Sequence, residues 1–170
     1  TMDPITMAKG SNALIDLGLA ELFTVTLPEC KFTLNNHKFV NWTRTSTGGG
    51  DSFADGYKLI NILYAEDLNL YANWQKMYNV VLTNGLATSD PDYKSFKLEG
   101  GCLEGEVVTL QGIEYYKKDG NQVFNTRFGF NFVGWKTEDG SMLTAPDGVS
   151  KSNTISAGGK FKMPAKDLVL

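Results

Sequence analysis

Short runs of β-branched and aromatic residues, cut by turn-forming clusters, set the pattern of this chain. Phe23–Leu27, Tyr78–Leu82 and Val107–Leu110 are such runs. Asn84-Gly85, Gly100-Gly101, Asp119-Gly120, Asp139-Gly140 and Pro146-Asp147-Gly148 are the interruptions. Phe128, Phe130 and Phe132 alternate with Gly129 and Asn131, which predicts a strand with one buried face. Phe161 and Met163 alternate with Lys160 and Lys162 in the same way. Helical signals are sparse. Ser11 to Leu22 carries a capping residue and three loosely aligned leucines, with Gly18 as a weak point, and Asp90 to Leu98 offers at most one further turn.

The pattern is stated twice. Phe39-Val40-Asn41-Trp42 returns as Phe132-Val133-Gly134-Trp135, and Ala65 to Leu70 returns as Ala165 to Leu170. Earlier in each half, Phe23 to Leu27 resembles Gly105 to Leu110. The offset between matched positions grows from 83 at Thr26/Thr109 to 93 at Phe39/Phe132 and 100 at Ala65/Ala165. The second copy therefore holds insertions before Phe132 and after Trp135. Packing landmarks recur while loops drift, as expected of tandem modules. The boundary falls near Gln75 to Met77, giving a first module at 1–75 and a second at 76–170 with an enlarged segment at about 83–128. So short a junction predicts a semi-rigid tandem.

These landmarks, taken in order, resemble the Listeria–Bacteroides repeat, the B-repeat type of internalins. Thr26 to Phe32, Phe39 to Trp42 and Leu68 to Trp74 carry the likeness in the first module. Tyr78 to Leu82, Phe132 to Trp135 and Phe161 to Leu170 carry it in the second. The resemblance implies an α+β, predominantly β chain of two small β-grasp-like (ubiquitin-like) modules with mostly antiparallel sheets. It implies a non-enzymatic spacer, adhesion or protein-interaction region of a bacterial cell-surface or secreted protein, hence an extracellular or cell-wall location, with no cofactor. Two departures stand out. The first module opens without a counterpart of Tyr78 to Leu82, and the closing Ala72 and Trp74 have no match after Leu170.

Composition narrows the partners. In 170 residues, 16 basic groups against 19 acidic ones give −3, and Lys117-Lys118 is the only basic doublet, followed at once by Asp119. A nucleic-acid surface would need a basic patch. The longest apolar stretch, Leu59 to Ala65, is broken by Asn61 and is far short of the roughly 20 residues of a membrane helix. Cys30 and Cys102 occupy non-equivalent positions, which predicts two buried thiols over a repeat-stabilising bridge. A monomer or weak oligomer is expected.

Reactive chemistry finds little support. His37 is the single histidine and sits beside Asn36 in a polar turn, so neither a nucleophile–histidine arrangement nor a zinc site has the groups it needs. Gly48-Gly49-Gly50 lacks the lysine of a phosphate cradle and is expected to be a hairpin loop. Asp51, Asp55 and Gly56, and Glu138 with Asp139, are explained by turn chemistry without calcium. Asn41-Trp42-Thr43 matches a glycosylation sequon without further support. Trp42 and Trp135, each after Phe-Val, are expected in the core. The enlarged segment supplies the candidate contact patch: Tyr93, Tyr115, Tyr116, Lys117 and Lys118, facing a host or neighbouring surface protein or glycan. The rival is a carbohydrate-binding module, which would display two or more aromatics on one flat face.

Overall fold

The computed structural model describes residues 24–60, 68–126 and 128–170. The chain divides into two compact units, Thr1–Gln75 and Lys76–Leu170. The described residues are predominantly β, with mostly antiparallel pairing, and their one helical element is the three-residue 3₁₀ turn Ile113–Tyr115. The predicted helix Ser11–Leu22 lies outside the described residues.

In the first unit, Thr24–Thr26 pairs antiparallel with Lys58–Ile60, and His37–Thr43 lies between Ser52–Phe53 and Tyr71–Tyr78, a strand that continues past Gln75 to Tyr78. Among its described residues the buried centre is Leu27, Trp42 and Leu59, with Phe39, Phe53, Leu68, Leu70 and Ala72 packed around them. The second unit has a larger core of Val80, Leu82, Val108, Leu110, Tyr116, Phe124, Trp135, Leu143, Ile155, Phe161, Met163, Leu168 and Leu170. Full burial of a Leu, Val, Phe or Met side chain contributes roughly 1.5–3 kcal/mol, so among the described residues the second unit carries most of the stabilising burial.

Three sheets organise the second unit. Val80–Thr83 runs between antiparallel Ser95–Lys97 and parallel Leu168–Val169. Lys151–Ser152, Leu143–Thr144, Lys160–Lys162 and Val107–Thr109 form a four-stranded antiparallel sheet in that order. Trp135–Lys136 pairs with Thr154–Ile155. The alternation at Phe161 and Met163 sends both side chains into the core. A separate small hairpin joins Lys117–Lys118 to Asn121–Gln122, its turn made by Asp119 and Gly120, both at positive φ (52° and 78°), as a two-residue hairpin loop requires.

Two sequence-based expectations fail. Phe128, Phe130 and Phe132 form no strand: Gly129 (φ +81°) turns the chain, Phe128 and Phe130 point to solvent, and only Phe132 packs inward. Asp90–Leu98 is no helix either. Asn84 donates to the Asp92 carbonyl and accepts from the Lys94 N–H, and the register Thr83↔Ser95 draws the chain into a hairpin.

The units share a set of ladder contacts. Val25 faces Leu59 and Thr26 faces Lys58; in the second unit Val108 faces Phe161 and Thr109 faces Lys160. Leu27 N–H donates to Tyr57 O at 2.8 Å, and Leu110 N–H donates to Gly159 O at 3.0 Å. Trp42 is paired with Phe53, and Trp135 with Ile155. Phe53/Ile155, Tyr57/Gly159 and Lys58/Lys160 all stand at an offset of 102. The extra residues of the second unit are thereby located: ten (93 − 83) between Leu110 and Phe132, and nine (102 − 93) between Trp135 and Ile155. The latter carry the Leu143–Thr144/Lys151–Ser152 hairpin.

Candidate functional site

The ten-residue enlargement, with the chain around it, builds the candidate surface of the second unit. Its first half folds inward. Tyr116 stacks edge-on against Trp135 (5.6 Å between centroids) and Phe124 (6.3 Å), and its hydroxyl accepts from the Gln111 N–H at 2.9 Å. Burial pushes its phenol above the usual tyrosine range, the Gln111 hydrogen bond opposes that, and Tyr115 adds to it. Tyr116 is 3% exposed. Expected at the contact surface, it is a core residue, because the Trp135 side chain supplies a ring face that a neighbouring aromatic covers.

Tyr115 is 67% exposed and contacts Tyr116 edge-on at 5.6 Å. Lys117 and Lys118 are exposed on the small hairpin. Tyr93 is half-buried in the Asp90 turn, its N–H donating to Asp90 O. The aromatic display missed by sequence reasoning is the second half of the enlargement: Phe128 is fully exposed and Phe130 is 74% exposed. Their signal was Gly129, a turn residue inside an apparent strand.

Titratable groups form no reactive constellation among the described residues. His37 follows the Asn35-Asn36 turn, and its Nδ1 lies 2.8 Å from Asn35 O. Asp51 pairs with Arg44 at 3.4 Å, and Asp55 accepts from the Cys30 N–H at 2.8 Å. Asp139 pairs with Lys166 and also accepts from Ser141 N–H; the Lys166 hydrogen bond, foremost, holds its carboxyl far below the usual carboxylate range. Asp147 is likewise lowered, by hydrogen bonds from Ser150 and from the Val149 and Ser150 N–H groups. Each of these carboxylates is engaged by a hydrogen bond or ion pair, with near neighbours at Asp51 and Asp147 and with distant ones at Asp55 and Asp139. No group of three or more His, Cys, Asp or Glu among the described residues could hold a metal ion. Cys30 and Cys102 are free and half-buried; burial, then Glu106, pushes the Cys102 thiol up. Among the described residues no helix is long and apolar enough to cross a membrane.

No protein-family model matches this chain, and no curated protein or solved structure matches it.

Proposed function

We propose that the chain is a non-enzymatic pair of β-grasp-like repeats, of the Listeria–Bacteroides type, serving as a spacer and interaction region of a bacterial cell-surface or secreted protein. The observation that carries this reading is the shared ladder register: Leu27/Leu110, Trp42/Trp135, Phe53/Ile155 and Leu59/Phe161 take matching places in the two units. The parallel pairing of Val80–Thr83 with Leu168–Val169, beside the antiparallel Ser95–Lys97, supports a grasp-type sheet, in which first and last strands meet. A crossover between parallel strands is usually helical. Here the only helical element among the described residues between the two strands is the 3₁₀ turn Ile113–Tyr115, and Tyr116, Phe124 and Trp135 are part of the core itself.

A module of this kind acts by geometry. Small closed units set in series hold a more distal domain away from the envelope, and their loops make weak contacts with what they meet. Immunolabelling of intact source cells tests it: antibodies to the chain should decorate cells without lysis. Label appearing only after lysis would refute the surface role.

Exposed Tyr115, Phe128 and Phe130 favour one second reading, a carbohydrate-binding module, since aromatic faces stack on sugars. A glycan array separates the two. Binding abolished together by Tyr115→Ala and Phe130→Ala would establish it over the spacer.

A further inference from the structure

The geometry points to the second unit as a force-resisting element, in which the parallel strands Val80–Thr83 and Leu168–Val169 form a clamp against end-to-end pulling. Its biological use rests on the spacer reading above, while the mechanical property stands on the bonds alone. Leu168 faces Val80 and Val169 faces Val81 in parallel register. Leu168 N–H donates to Asn79 O (2.8 Å), Leu170 N–H to Val81 O (2.9 Å), and Thr83 N–H to Leu170 O (2.6 Å). Both ends of the pair are reinforced by side chains. Asp167 accepts from the Asn79 N–H at 2.7 Å and from its side-chain amide at 3.3 Å, and the Thr83 hydroxyl donates to Leu170 O at 3.1 Å.

Direction of force decides how these bonds fail. Asn79 lies at the start of one strand and Leu170 at the end of its parallel neighbour. Tension entering before Asn79 and leaving after Leu170 drives the strands past each other along their axes, so all of these bonds are strained together. Antiparallel strands joined by a hairpin, pulled at their free ends, open one bond at a time. The clamp is also dry: Val80, Leu82, Leu168 and Leu170 are all buried, so water has little access to exchange for each bond as it stretches. Forced unfolding is governed by the barrier to leaving the native state, so simultaneous loading raises the rupture force without any gain in equilibrium stability.

Single-molecule force spectroscopy on the full chain tests this in two attachments. Handles at residues 76 and 170 load the pair in shear, together with the Met77/Leu103 and Tyr78/Cys102 ladder contacts that precede it. Handles at residue 89, in the exposed loop after Thr83, and at residue 170 grip the same end of the pair and peel it. The end-to-end rupture force should be several-fold higher than the peeling force. Asp167→Ala should lower the shear force and leave the peeling force, which begins at the Leu170 end, nearly unchanged. Thr83→Val, a milder change, should weaken both. Equal forces in the two attachments, or an Asp167→Ala loss of the same size in each, would overturn the clamp. That result would leave the spacer reading intact, because the spacer reading fails only through the labelling of intact cells.

Discussion

Trp42 and Trp135 occupy the same place in two ladders, yet their surroundings differ. The preceding phenylalanine meets each indole almost identically: Phe39 at 5.1 Å and 59°, Phe132 at 5.0 Å and 62°. Beyond that contact the sites part. Trp135 also meets Tyr116 (5.6 Å) and Phe124 (5.3 Å), and its indole N–H donates to Gln111 O at 2.8 Å. Trp42 has Phe32 at 6.2 Å, and its buried indole N–H has no hydrogen-bond partner among the described residues. Gln111 follows Leu110 in the second unit, and Pro28 stands at the corresponding place after Leu27. One Phe-x-x-Trp nucleus thus serves both units, and the extra residues of the second finish it by supplying rings and fixing the chain that offers the acceptor.

Truncation should expose the difference most strongly. Trp135→Ala should cost about 3–5 kcal/mol, as for large aromatic deletions in a closed core, and move the unfolding transition of the second unit to much lower urea. Trp42→Ala should cost less, because among the described residues fewer rings wall its site and its indole N–H is unpaired. Urea unfolding followed by far-ultraviolet circular dichroism measures both. Equal losses would mean that the additional rings around Trp135 add nothing.

The residue before each tryptophan sharpens the contrast on a smaller scale. Gly134 sits at φ +152°, and a Cβ there would lie 2.6 Å from the Ile155 carbonyl oxygen. Asn41 holds the matching place in the first unit, where its side-chain oxygen accepts from the Asn73 amide at 3.1 Å. Gly134→Ala should therefore destabilise by about 2–3 kcal/mol through strain and a backbone clash. Asn41→Ala should lose only a part-buried hydrogen bond, about 1 kcal/mol. If Gly134→Ala is as mild as Asn41→Ala, the Trp135 strand has slack that the ladder contacts do not reveal.

Local rules made some of this legible from the sequence. The alternation at Phe161 and Met163, the Asp119-Gly120 turn and the recurrence of Phe-x-x-Trp all depend on neighbours a few residues away. The rest depends on distant partners. Tyr116 could not be told from Tyr115 by sequence, because what buries it is Trp135, nineteen residues on (135 − 116). Phe128 and Phe130 mimic a strand until Gly129 takes positive φ, a backbone state that no hydrophobic pattern encodes. The constant offset of 102 at Phe53/Ile155, Tyr57/Gly159 and Lys58/Lys160 is equally hidden, since only the lysine is identical and the ladder register alone equates the others. For the candidate surface, Tyr115, Lys117 and Lys118 were legible as exposed positions, while the two protruding phenylalanines were misassigned to a buried face.

The smallest expected effect is the most specific to the comparison. Replacing each tryptophan by phenylalanine keeps an aromatic ring and removes the indole N–H. At Trp135 that deletes a real hydrogen bond and strands the Gln111 carbonyl, so the loss combines reduced packing with an unsatisfied acceptor and should reach about 2 kcal/mol. At Trp42 the same change removes a buried donor that has no partner among the described residues; an unpaired donor there costs about 1–3 kcal/mol in desolvation, so the two terms oppose each other. Trp42→Phe should be close to neutral. Parallel melts of the two variants give the answer directly. A Trp42→Phe loss as large as that of Trp135→Phe would mean that the Trp42 indole N–H is satisfied in solution, most simply by an ordered water, and the asymmetry between the two nuclei would then reduce to packing alone.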